Sequence, residues 1–136
     1  MRHLVAEAGL DEHVDVASAG TSSYHVGEPV DPRSAAAARQ RGIAVSGVAR
    51  RFVASDFERF DYVVAMDQDN RDALLALAPD AAAADCVSLL RTWSGEGDED
   101  VPDPYYGGPD GFEEVFDICL NACEALLARV RQDHSL

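Results

Sequence analysis

Strands that alternate with helices predict an α/β fold on a parallel sheet. Three observations carry this reading. D61-YVVAM66 is an apolar, β-branched run of the kind that is buried on both faces of a parallel sheet. A capped helix begins directly after it, at Asp67, and F112-EEVFDICLNACEALLARV130 has the clearest amphipathic pattern in the chain. At 136 residues and 47% hydrophobic content, the chain is one domain's worth around a single core.

The elements follow in order. Residues 2–9 have helical character, with Leu4, Val5 and Ala8 on one side and Gly9 as a stop. V14-D-V-A-S18 alternates and is bounded by Gly20 and a Thr-Ser-Ser cluster, the pattern of a strand entering a loop. In D31-P-R-S-A-A-A-A-R-Q-R-G42, Asp31 is a good N-cap, Pro32 fits the first helical position and Gly42 can close the end. S55-DFERF60 reads as one helical turn ahead of the strand at 61–66. The helix from Asp67 to Pro79 turns Leu74, Leu75 and Ala78 inward, and Cys86 to Leu90 form a further short strand. From Thr92 to Gly111 the chain is polar and rich in glycine and proline, hence a loop.

Composition narrows the function. Against 11 basic residues, all arginine, stand 25 acidic ones, and the net charge of −14 repels nucleic-acid phosphate and anionic membrane surfaces. Three cysteines without Cys-x2-Cys pairs fit neither a disulfide scaffold nor a structural zinc site, and suit a reducing cytoplasm. The N-terminus lacks the apolar core of a signal peptide, and no stretch is apolar enough to span a bilayer. The four histidines are scattered without ligand spacing, so neither a metal nor a cofactor is expected.

Parallel α/β sheets bind ligands at the carboxyl ends of their strands. Three loops qualify: A19-GTSSYHVG27, M66-DQDN70 and the loop that carries V101-P-D-P-Y-Y-G-G108. In the last, Asp103 lies between two prolines and ahead of two tyrosines. A carboxyl on a proline-stiffened loop suits a proton donor that must meet one leaving-group oxygen, while a well-capped surface turn would use the same residues.

These residues also carry a resemblance. D103-P-Y-Y-G with the helix start F112-EEVF, the middle segment R41-GI43, S46-GVARRF52 and F60-DYVVAMDQDN70, and S18-AGTSSYHVG27 with D31-P-R33 together resemble the low-molecular-weight protein tyrosine phosphatases over essentially the whole chain. The resemblance implies a small four-stranded parallel sheet with helices on both faces. It implies metal-free hydrolysis of phosphotyrosine in proteins, or of another aryl phosphate, through a cysteinyl-phosphate intermediate. By resemblance Asp103 is the general acid and then the general base, and Tyr24, Tyr105 and Tyr106 flank the cleft and stack on the substrate ring.

In the family a strand and a loop of pattern Cys-x5-Arg-Ser, whose cysteine attacks phosphorus, precede the point where this sequence starts. The expectation is therefore an N-terminally truncated single domain over 1–136, inactive as it stands, with the central first strand missing. C123-EALLAR129 matches Cys-x5-Arg as text, but it lies in the amphipathic helix, where the backbone donors are already bonded. C86-VSLLR91 reads as a buried strand cysteine, and Cys119 and Cys123 as core packing. No nucleophile is expected among the three. Open strand edges on either side of the gap would favour a homo-oligomer. Two other readings stay open: a non-catalytic phosphotyrosine-binding or regulatory module, and an arsenate reductase-like protein.

Overall fold

The computed structural model describes residues 1–104 and 110–136. Its elements in chain order are α1 (Arg2–Glu7), α2 (Pro32–Gln40), α3 (Asp56–Arg59), β1 (Val63–Ala65), α4 (Gln68–Leu77), α5 (Ala81–Asp85), β2 (Val87–Leu89), α6 (Leu90–Trp93) and α7 (Gly111–His134). Among the described residues β1 and β2 form a two-stranded parallel sheet, with Val63, Val64 and Ala65 opposite Val87, Ser88 and Leu89.

The period of two in β1 divides the core. Val63 and Ala65 are buried on one face with Phe52, Phe57, Leu74, Ala83 and Leu89, under α3, α4 and α5. Val64 points the other way, against Leu90, Ala122, Leu126 and Val130 of α6 and α7. Helices therefore cover both faces, as expected. A third cluster of Val5, Leu10 and Leu127 fastens α1 to α7.

The helix ends follow their sequence signals. Asp31 accepts the Arg33 N–H at 2.8 Å, and Asp67 accepts the Asn70 N–H at 2.7 Å. After α2, Gly42 takes φ +73° and the Ile43 N–H reaches back to Ala38 O at 3.0 Å, a left-handed closure that favours glycine.

Four expectations need correction. Residues 14–18 form no strand: Val14 and Val16 pack against the third cluster, Arg2 Nε donates to Val16 O at 3.1 Å, and no ladder partner lies alongside among the described residues. The run pairs only beyond its end, where Gly20 forms a single parallel bridge with Arg51. Leu75 is exposed, because α4 buries a single stripe through Leu74. Cys86 is the half-buried C-cap of α5, its thiol donating to Ala82 O at 3.4 Å. The loop expected from Thr92 starts later, after α6. Among the described residues no helix is long and apolar enough to cross a membrane.

Candidate functional site

The three loops singled out in the sequence meet at the carboxyl end of β1. Asn70 in the first turn of α4 donates to Thr21 Oγ1 at 3.3 Å, joining the second loop to the first. The third loop is bonded to the second at three points. The Val101 N–H donates to Met66 O at 2.8 Å, and the Gln68 N–H donates to Asp100 Oδ1 at 2.9 Å. Gln68 Nε2 adds a bond to Asp98 O at 3.1 Å. This convergence follows from β1 being so short: its last residue, Ala65, is one position from the carbonyl that fixes Val101.

Asp103 stands two residues beyond that fixed point, with an exposed side chain. Pro102 and Pro104 on either side restrict the backbone. Pro104 O lies 3.6 Å from where a β-carbon would sit on Gly111, so the acid's neighbour abuts the first turn of α7. α7 is itself braced by α2. Arg41 pairs with Glu113 at 2.8 Å and with Asp117, and it stacks on Phe116 at 4.7 Å, while Arg33 stacks on Phe112 at 4.7 Å.

Tyr24 belongs to the first loop and is 84% exposed, with its ring edge-on to His25 at 4.8 Å. His25 bonds Glu28 at 2.8 Å. Tyr105 and Tyr106 lie outside the described residues. The loop is held from behind by a parallel strap, in which Gly20 N–H donates to Arg50 O and Phe52 N–H to Gly20 O, each at 2.8 Å. Arg50 in turn pairs with Asp56 at 3.1 Å. Burial pushes the Asp56 carboxyl up, but the Val53 N–H and the Arg50 guanidinium outweigh it and leave the group below the usual aspartate value.

None of the three thiols is seated as a phosphate-binding nucleophile. Cys86 caps the end of a helix, and Cys119 and Cys123 are half-buried on α7 against the second core. Burial, with Cys123 adding to it, pushes the Cys119 thiol up to about 11, the opposite of the shift that activates a thiolate. The Cys-x5-Arg text match from Cys123 to Arg129 is continuous helix. Among the described residues no cluster of His, Cys, Asp and Glu could hold a metal ion.

Sequence reasoning missed the polar groups that knit the loops together. Besides Gln68 and Asn70 these are Asp100 and Arg91, the latter bonded to Asp100 O at 2.8 Å and to Glu96 at 2.5 Å. Arg91 and then Ser94 hold the Glu96 carboxyl below its usual range. The signal was an arginine directly after an apolar strand, where an extended reading predicts another hydrophobic residue.

A family model described as low molecular weight phosphotyrosine protein phosphatase matches residues 1–136. The chain belongs to the low molecular weight phosphotyrosine protein phosphatase family. A low molecular weight protein-tyrosine-phosphatase of Streptomyces coelicolor is 46% identical over 134 residues, 96% of this chain and 82% of the relative. The human family member is 33% identical, over 94% of this chain and 82% of its own. A crystal structure of an Entamoeba histolytica protein tyrosine phosphatase with Hepes in the active site matches with a TM-score of 0.90 at 36% identity, covering 98% of this chain and 85% of that one. The α/β architecture is thus the family's own, including the small parallel sheet and its helices.

Proposed function

We propose that this chain is the acid-bearing part of a phosphotyrosine monoester hydrolase, with Asp103 as the general acid. Family membership over the whole chain supports the reaction class. The observation that carries the assignment is the convergence of three loops at the carboxyl end of β1, with Asp103 on the one anchored to Met66 and Gln68.

In the proposed reaction a cysteine thiolate attacks phosphorus. The S–P bond forms as the P–O bond to the phenol breaks, and the electron pair leaves on oxygen. Asp103 gives its proton to that phenolate. As a carboxylate it then takes a proton from water, whose oxygen displaces the sulfur and releases inorganic phosphate and thiolate. Tyr24, Tyr105 and Tyr106 are the residues assigned in this reading to stack on the substrate's aromatic ring. The setting is the cytoplasm, where free thiols persist.

The seats of the three thiols, one at a helix end and two on the packed face of α7, support a reading in which the thiolate belongs to a loop of pattern Cys-x5-Arg-Ser that is not among these 136 residues. Purified 136-residue protein is expected to leave p-nitrophenyl phosphate intact. A form extended by such a segment should hydrolyse it in a vanadate-sensitive manner, and Asp103→Ala in that form should lose about a hundredfold or more in kcat. Vanadate-sensitive turnover by the short chain would overturn the assignment of the nucleophile. Saturable binding of phosphotyrosine peptide without turnover in the extended form would instead favour a binding module. The edge of β1 away from β2 also supports self-association through strand pairing.

A further inference from the structure

The segment between α6 and Asp103 is held by one side chain whose cost is visible. Arg91 is 84% buried by side-chain area, being 16% exposed, and its Nε–H is buried with no partner among the described residues. A buried, unsatisfied donor costs roughly 1–3 kcal/mol, so its neighbouring bonds must matter. The other guanidinium nitrogens grip the loop at two points, Nη1 on Asp100 O at 2.8 Å and Nη2 on Glu96 Oε2 at 2.5 Å. The loop is closed further by Thr92 Oγ1, which donates to Gly97 O at 2.6 Å, and by Ser94 Oγ, which donates to Glu96 Oε1 at 2.7 Å.

We infer that Arg91 is a positioning residue for the general acid, clamping Asp100 so that Asp103 stands at one fixed place over the cleft. Asp100 is held from two sides, its carbonyl by Arg91 and its carboxylate by the Gln68 N–H at the start of α4. Val101 follows, buried in the second core and bonded to Met66 O. Pro102 then fixes φ near −65°, so little freedom separates the clamp from Asp103. Loss of the clamp leaves the acid attached but free to wander, and a displacement of about 1 Å is enough to reduce a rate strongly. The inference rests on the reading of Asp103 as the proton donor.

Hydrogen exchange on the 136-residue chain tests the clamp without any turnover. In Arg91→Gln the amides of Val101, bonded to Met66 O, and of Gln68, bonded to the Asp100 carboxylate, should exchange at least about tenfold faster, with α1 and the rest of α4 unchanged. Arg91→Lys should recover part of the protection, since it keeps the charge beside Glu96 but cannot fork to both acceptors. Should Arg91→Gln weaken the whole fold, Glu96→Ala removes one arm alone, since it leaves no acceptor for Arg91 Nη2, and should give the same local pattern. Unchanged exchange at Val101 and Gln68, or an equal rise throughout the chain in both variants, overturns the clamp. In the nucleophile-bearing form, Arg91→Gln should lower kcat/KM for phenyl phosphate by about tenfold, yet leave kcat/KM for 2,4-dinitrophenyl phosphate unaffected, because that phenolate departs without a proton and the later hydrolysis of the cysteinyl phosphate does not enter kcat/KM. If Asp103→Ala shows no such dependence on the leaving group, the reading of Asp103 fails, while the exchange data still decide the clamp.

Discussion

Asp56 illustrates how a single carboxylate can organise a loop from behind, without itself standing in the site. It is 8% exposed, it accepts the Val53 N–H at 2.9 Å and Arg50 at 3.1 Å, and Arg50 O is the acceptor that holds Gly20 at the root of the first loop. Asp56→Ala leaves a backbone donor and a guanidinium without their acceptor, and is expected to cost about 1–3 kcal/mol in urea unfolding. The pH dependence has a definite sign. The folded carboxyl lies below its ordinary value, so its contribution is complete above pH of about 4 and is lost as pH falls through the folded pKa. The difference in stability between wild type and Asp56→Asn should therefore be constant at neutral pH and shrink in acid. A difference that grows in acid would contradict the assignment.

At the scale of elements, the pairing of α2 with α7 sets the back of the site. Arg41 reaches both Glu113 and Asp117 while lying on the Phe116 ring, whereas Arg129 pairs with Asp133 one turn away on its own helix. An exposed i,i+4 pair is worth about 0.3–0.5 kcal/mol. Arg41→Ala should lower Tm by clearly more than Arg129→Ala, and equal shifts would show that the bridge between helices adds nothing. The elements also show what could be read in advance. The α2 cap, the α4 cap and the stripe of α7 were legible because each depends on residues within a few positions of one another. Asp103 was singled out by its prolines and by resemblance, and it lies on a loop bonded to Met66 and Gln68. The 14–18 run was misread because alternation shows which side chains can be buried together, whereas a strand also needs a partner backbone, which local sequence does not specify. α5 carried a signal that was passed over, Asp80 accepting the Ala83 N–H ahead of an alanine run. Arg91 could not be assigned, because its acceptors are formed by the loop closing back on itself.

For the molecule as a whole, two tendencies oppose each other. The Val63 N–H bonds Cys86 O on the β2 side, so by strand alternation the Val64 N–H points to the other edge, where no strand pairs with β1 among the described residues. Such an edge is a template for a second copy. The net charge of −14 keeps copies apart, and its reach shrinks from about 30 Å at 0.01 M salt to about 10 Å at 0.1 M. Self-association of the 136-residue chain should therefore rise with salt, unlike association through surface ion pairs, which salt weakens. Light scattering across this range should show the mass climbing from 14.6 kDa towards multiples of it, with exchange of the Val64 amide slowing in step. A mass of 14.6 kDa at every salt concentration, or a larger one with Val64 unprotected, would show that this edge is not where copies meet.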